Sequence, residues 1–485
     1  MRKRLRFAAR QIQSPSADFS STSHRIVHTL RFRRGRFARV LALARIIALG
    51  PAVLGASPEA LATDPPTAES PNLDLDAQRT ELVRRFLLAT DEAIANDLVG
   101  MIENHAQGDL QAVADAVRHV CPWDTLPAGR HSFALSDGEM RLQIPVGYTP
   151  EKAVPVIVCF GGSATDADRT LDEAVTMLGD VAATHALVAV TERSCEEWHA
   201  CAAGTMKAAD LLTAIRRRVH VDTSRCFVLG WGRGGASAWV AGLQDSRELA
   251  GVILVNADIH EDFPAITLPG LATNLRPTRL LVMWDAGLSA GNNSLVAMDR
   301  ALVRAATGAS VDTVFEELPA TSSERLRPIR DRAREFVAKE RLDPADSFEF
   351  WIPAGSSVRV GKITAHSSLP PEPSGLQVAA MSGPNEAGRK WLEDRIAERM
   401  SHVIVRTEGP RLILDAKRCS RVDVYWAPVD IMAGAKRTVV CNGVTRFDDV
   451  PKPSIRAMLD HARRTWDFEN LDAAMTEFTL RADAP

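Results

Sequence analysis

The run Val228-Leu229-Gly230-Trp231-Gly232-Arg233-Gly234-Gly235 is an apolar, strand-like segment that ends in a glycine-rich corner. In a G-x-S-x-G turn, such a corner raises a serine hydroxyl above the edge of a sheet, ready to attack a substrate. Here glycine, Gly232, takes the central position, while Gly230 and Gly234 keep the spacing the bend requires. The backbone requirement is met and the attacking group is absent. Other residues able to do polar chemistry follow strand-like runs: Thr191, Glu192 and Arg193, then Asp258 and His260, then Asp285, then Ser322 with Ser323, with His199 in the loop between Cys195 and Cys201. His260, flanked by Asp258 and Glu261, reads as a general base, a metal ligand or a solvated loop histidine. Asp285 reads equally as a site residue or a turn cap, and the Ser322-Ser323 pair fits turn chemistry. No Cys/His grouping has the spacing of a zinc site, so neither a metal nor a cofactor is expected.

The elements around these residues set where they can act. From about residue 130, short apolar runs alternate with helical stretches, the pattern of a mostly parallel sheet covered on both faces. Strands are expected at Val154 to Phe160, Ala186 to Val190, Cys226 to Gly230, Gly251 to Asn256, Arg279 to Trp284 and Thr313 to Leu318. Helices fall at 168–183, 204–219, 234–244 and 294–307, with a last one running to about Lys339. Ligands of such sheets bind at the carboxyl ends of the strands, where every residue named above is placed. Helical spacing of Leu82, Phe86, Leu87, Ile94, Leu98, Leu110, Val113 and Val117 predicts a small helical subdomain over 74–128. The α/β unit takes 129–342, a Pro- and Gly-bearing connecting segment 343–389, and a β-rich domain 390–485, where apolar and polar residues alternate around the Asn442-Gly443 turn signal and a helix is expected over Ser454 to Arg464.

Charge and cysteine usage narrow the partners. Residues 1–62 hold 12 of the 58 Lys and Arg and only 2 of the 61 acids, which leaves 46 basic against 59 acidic residues beyond them. A body this acidic excludes a polyanion such as nucleic acid as its main partner. The leader places five arginines between Arg31 and Arg39 before the apolar run Val40 to Ala56 and the small-residue site Ala60-Leu61-Ala62, which predicts export with cleavage near Thr63, or an anchor if the leader stays uncleaved. Residues 63–73 then form a polar, Pro-rich linker. Seven cysteines leave at least one unpaired. The pairs Cys195 with Cys201 and Cys419 with Cys441 are disulfide candidates, and the alternative is a set of buried thiols acting as small apolar residues.

The run Ile144-Pro145-Val146-Gly147-Tyr148-Thr149-Pro150, the strand ending Phe160-Gly161-Gly162-Ser163, the phrase Val221-Asp222-Thr223-Ser224-Arg225 and the corner through Gly235 resemble esterase-like and prolyl-oligopeptidase-like α/β-hydrolases. The resemblance covers about residues 130–340. It implies a doubly wound α/β sheet and a Ser-Asp/Glu-His triad, with oxyanion donors at the Gly161-Gly162 turn and the N–H of Arg233. Matched onto this chain, the nucleophile position is Gly232 and the histidine position is Ser323, while the acid position falls near Leu288, with Asp285 about three residues before it. The residues after 390 are similar to the β-domain that follows such hydrolase domains in some large bacterial secreted proteins. The expected function is therefore a non-catalytic homologue binding a small-molecule, peptide or protein ligand in the former active-site crevice. One alternative is an active ester or peptide hydrolase using another nucleophile or an activated water, and another is a surface-interaction protein working through its β-domain.

Overall fold

The computed structural model describes residues 72–135, 138–161, 166–192, 208–232, 234–257, 269–285, 300, 303–319, 322–342, 345–370, 400–432 and 434–480. The leader at 1–62 lies outside them. The eight-stranded sheet is built from β1 (Gly129–Leu135), β2 (Gly138–Ile144), β3 (Val154–Phe160), β4 (Ala186–Glu192), β5 (Val221–Gly232), β6 (Gly251–Ala257), β7 (Arg279–Asp285) and β8 (Thr313–Leu318). Its order is β1-β2-β4-β3-β5-β6-β7-β8. Strand β2 runs antiparallel to β1 and β4, and all later neighbours are parallel. An antiparallel leading hairpin, an exchange of β3 with β4 and an uninterrupted parallel run form the α/β-hydrolase sheet, so the fold is of that type.

The sheet is doubly wound because its central strands are apolar on both faces. In β3, Val156 and Val158 enter one core and Ile157 and Cys159 the other, as the two-residue pleat requires. Helices α5 (Ala208–Arg216) and α6 (Gly234–Asp245) cover the first face. Helices α4 (Ala167–Leu178) and α7 (Ser322–Val337) cover the second.

Helices α1 (Asn72–Leu88), α2 (Glu92–Ala106) and α3 (Leu110–His119) have no core of their own. Their buried faces, including Phe86, Ile102, Val113 and Val117, join one cluster with Phe350, Leu414, Val424, Trp426 and Leu459 from the C-terminal region. That region opens with β9 (Ser347–Ile352), β10 (Ser357–Val360) and β11 (Ile363–Ser367), three strands inside the stretch read from sequence as connecting. It continues through β12 (Ser401–Glu408), β13 (Arg411–Lys417), β14 (Cys419–Trp426), the short α8 (Pro428–Met432), β15 (Arg437–Cys441), β16 (Val444–Asp449), α9 (Ile455–Thr465) and β17 (Ala474–Thr479). The strands form two sheets, β10-β11-β14-β17 and β16-β15-β13-β12-β9. Alternation along β9 buries Phe348, Phe350 and Ile352. That signal is local, whereas the pairing of β9 with β12 joins residues 49 to 59 positions apart and has no local marker.

The disulfide candidate Cys419 with Cys441 is corrected by this arrangement. Cys419 begins β14 and Cys441 ends β15, strands of different sheets, and no disulfide joins them. Both are buried among apolar side chains. Cys195 and Cys201 lie outside the described residues.

Candidate functional site

Strand β5 carries the corner. Residues Cys226 to Gly230 are fully buried, and the strand ends at Gly232 with φ of 53°. That left-handed conformation costs an L-residue roughly 1–2 kcal/mol, and glycine accepts it freely. Helix α6 begins two residues later. The flanking glycines serve a different need, close approach. A Cβ on Gly230 would stand 2.5 Å from the Gly234 carbonyl oxygen and 2.6 Å from Ala238 Cβ, and one on Gly234 would stand 2.1 Å from the Phe160 carbonyl oxygen. The α6 N-terminus therefore rests directly on the end of β3. There a Cβ on Gly161 would meet Thr170 Oγ1 of α4 at 2.6 Å. Trp231, between the corner glycines, donates its indole N–H to Glu173 Oε2 of α4 at 2.9 Å.

The register aligns the remaining described positions. Gly232 pairs with Ala257, and Asp285 pairs with Leu318. Because Val255 pairs with Met283, Asp285 stands two places further along and level with Ala257. Gly232 and Asp285 thus share one row across the carboxyl edge, two strand spacings or about 10 Å apart. Asn256 makes this alignment: its φ is 47°, the register shifts beside it, and its Oδ1 accepts the Asp285 backbone N–H at 2.7 Å. Asn tolerates left-handed backbone better than most residues because its short amide can bond locally.

Asp285 is fully buried and forms an ion pair with Arg325 of α7, Nη1 to Oδ2 at 2.5 Å. Arg325 Nε also donates to the Pro319 carbonyl oxygen at 3.1 Å, tying the guanidinium to the segment that leaves β8. In a triad the acid would hold an imidazole arriving from just after the last strand. Here a guanidinium arrives by that route, and it cannot take up a proton because it is already protonated throughout the physiological range. The thiols of the two central strands lie below the corner, Cys159 level with Leu229 and Cys226 six residues before Gly232, and both are buried. Burial pushes Cys159 on β3 up to about 12 and Cys226 on β5 up to about 11.

The structure places the remaining sequence candidates as follows. Glu192 ends β4, with its backbone paired to Gly138. Ser323 lies in the first turn of α7, two residues before Arg325. Gly161 closes the top of β3 and is buried. Gly162, Arg233, His199, Asp258 and His260 lie outside the described residues. Asn256 and Arg325 were not anticipated from sequence. An Asn at the end of an apolar strand is a weak signal for a positive φ, and nothing local marks an arginine that will meet a carboxylate forty residues earlier. Among the described residues there is no grouping of three or more His, Cys, Asp or Glu able to hold a metal ion.

The sheet and corner define an α/β-hydrolase-type protein with glycine where the turn would present its serine. No protein-family model and no curated protein matches the chain. Among solved structures, dipeptidyl peptidase 4 of Porphyromonas gingivalis is similar over 44% of this chain and 36% of its own, at 14% identity and a TM-score of 0.33. The 2,6-dihydroxy-pseudo-oxynicotine hydrolase is similar over 55% and 86%, at 11% identity and a TM-score of 0.32. The enterobactin and salmochelin hydrolase IroE is similar over 44% and 96%, at 13% identity and a TM-score of 0.32. The chain spans about a third of the length of the dipeptidyl peptidase it matches. Likenesses at these scores say nothing about activity, and the fold assignment rests on the strand order and connectivity above.

Proposed function

We propose that this protein is a non-catalytic α/β-hydrolase homologue that holds a small-molecule, peptide or protein ligand in the crevice above Gly232 and Asp285. The observation that carries the reading is the Asp285–Arg325 ion pair. Asp285, in the row with Gly232, is committed to a cation that cannot act as a base, and Gly232 has no side chain to activate. Losing a single triad member costs a serine hydrolase about four to six powers of ten in turnover, and the remainder rests on the oxyanion hole and binding. With nucleophile and base both replaced, no acyl-enzyme route remains through these positions. A buried carboxylate fixed by a partly exposed guanidinium instead suits recognition of a ligand's carbonyl or anionic group. The basic, apolar leader supports an exported location for this binding role.

The test is exposure of the purified chain to a fluorophosphonate probe together with an assay of short-chain aryl ester turnover. Neither labelling nor turnover above buffer is expected. Covalent labelling mapped to any serine would replace this reading with that of an active hydrolase using a relocated nucleophile.

A further inference from the structure

We propose that the chain carries a second binding site, at the edge of the eight-stranded sheet opposite Gly232, that takes a small organic anion bearing a carboxylate or phosphate. A cavity of about 480 Å³ opens there, between the amino ends of β6 and β7 and the C-terminal sheets. That volume falls in the range of small-molecule pockets. Its position is set by Arg341, whose backbone N–H donates to Ser224 near the start of β5 at 2.8 Å, while Gly232 ends the same 12-residue strand. Val221 pairs with Val154 and Gly230 with Phe160, so β5 bulges near its start and its two ends are about 26 Å apart.

The lining holds four cations, Arg118, Arg247, Arg341 and Lys362, against the three carboxylates Asp430, Glu469 and Asp472, and Arg118 is paired outside it with Asp115 at 3.2 Å. Arg247, Arg341 and Lys362 all face the cavity and are partly buried. Of the lining carboxylates, Asp430 is taken by Arg437 at 3.1 Å. Asp472 Oδ2 is taken by Arg359 at 2.6 Å and His461 at 3.0 Å, which leaves Arg247 at 4.0 Å from its other oxygen. Glu469 is exposed at the rim. Arg341 spends its guanidinium on neutral acceptors, the Arg247 carbonyl at 2.6 Å and Asn470 Oδ1 at 3.1 Å. Lys362 lies 5.5 Å from the centre of the Trp426 ring. Among the described residues, neither Arg341 nor Lys362 has a carboxylate within ion-pair distance.

Arg247 shares Asp472 and Arg341 shares its charge with buried Asp467, whereas Lys362, partly desolvated and with no carboxylate at ion-pair distance among the described residues, raises the free energy of the empty site, and an entering anion relieves it. The rest of the wall suits an organic body. Tyr425 presents a ring held by the Arg359 guanidinium at 3.9 Å, beside Pro277 and Leu471.

Calorimetric titration of the full chain at low salt with inorganic phosphate, phenyl phosphate and benzoate tests the site. Saturable binding of phenyl phosphate or benzoate, tighter than inorganic phosphate and weakened by added salt, is expected, and the preferred probe tells which acid the site reads. Lys362→Met, which keeps the contact with Trp426, should weaken binding about tenfold or more, the worth of one charge-assisted contact. Lys436→Met, at an exposed lysine paired with Asp448 at 2.7 Å, should bind as the native chain does. Unchanged near-UV circular dichroism shows that each variant is folded. Failure of both aromatic probes to bind, or equal binding by the native chain and folded Lys362→Met, overturns the proposal. Neither result bears on the crevice at Gly232, so the two sites stand or fall separately.

Discussion

Asp285 can be tested for what it now does. A triad acid replaced by its amide keeps the fold and loses turnover. Asp285 instead neutralises Arg325 from a fully buried position, so Asp285→Asn should cost about 2–3 kcal/mol in urea denaturation, the penalty of leaving one member of a partly buried pair without its partner. A change below about 0.5 kcal/mol would mean the pair is idle at the surface level of such contacts. Gly232 offers a complementary test. Gly232→Ser places a side chain at a φ of 53° and should lower stability by roughly 1–2 kcal/mol. The single variant should remain unlabelled by a fluorophosphonate because Arg325, the group that meets Asp285, cannot take the serine proton, whereas Gly232→Ser with Arg325→His, which restores an imidazole beside Asp285, should label. Labelling of the single variant would reveal a base already in place.

At the scale of elements, the strand-corner-helix unit survives for reasons independent of chemistry. Gly230 and Gly234 are held by backbone and side chain crowding, so they persist without a serine between them. Gly234→Ala forces a Cβ against the Phe160 carbonyl and should destabilise by about 3 kcal/mol, at the upper end of overpacking costs. Gly100→Ala, inside α2 with nothing within 4 Å of the added carbon, should instead stabilise by about 0.5–1 kcal/mol. Thermal melts of the two variants side by side check the contrast. Much of this level was legible in advance. The apolar runs at 154–160, 226–230 and 279–284 became β3, the buried part of β5 and nearly all of β7, because a strand covered on both faces has little choice of composition. Asn256 was not legible as a bulge, since its conformation is stabilised by the Asp285 N–H that only the neighbouring strand supplies.

For the whole molecule, the C-terminal region is part of the fold and not an appendage. Trp123 stacks on His220 at 4.2 Å, packs against Trp466 and Phe468, and donates its indole N–H to the Arg216 carbonyl oxygen at 2.5 Å. Buried Arg216 pairs with Glu248 at 2.9 Å. Asp467 joins the same cluster: burial alone would raise its pKa, and Arg216, the Asn470 hydrogen bonds and Arg341 together hold it below the usual carboxylate range. A chain ending at residue 389 should therefore aggregate, because it exposes the α1–α3 core and strips Arg216 of a counter-charge. A soluble, monomeric truncation with a sharp melt would refute this. Acid should weaken the intact chain in a defined window. Burial pulls His185 down to about 4, below its unfolded value near 6.5, so its contribution is fully present above pH 6.5 and is lost as pH falls toward 4. The full effect is about 3 kcal/mol, and His185→Leu should flatten that part of a stability-against-pH curve.

What the sequence determined by itself are the features governed by local physics: strand composition, helical spacing, a corner spelled in glycines and the missing side chain at Gly232. Each depends on residues a few positions apart, where steric and periodic constraints act directly on residue type. What Asp285 meets, and which core covers the first three helices, only the tertiary structure decided. Arg325 reaches a carboxylate forty residues earlier in the chain, and helices near residue 100 find their apolar cover in strands beyond residue 345. Such contacts are selected by the closing of the whole fold, and a charged or apolar residue carries no label for its distant partner.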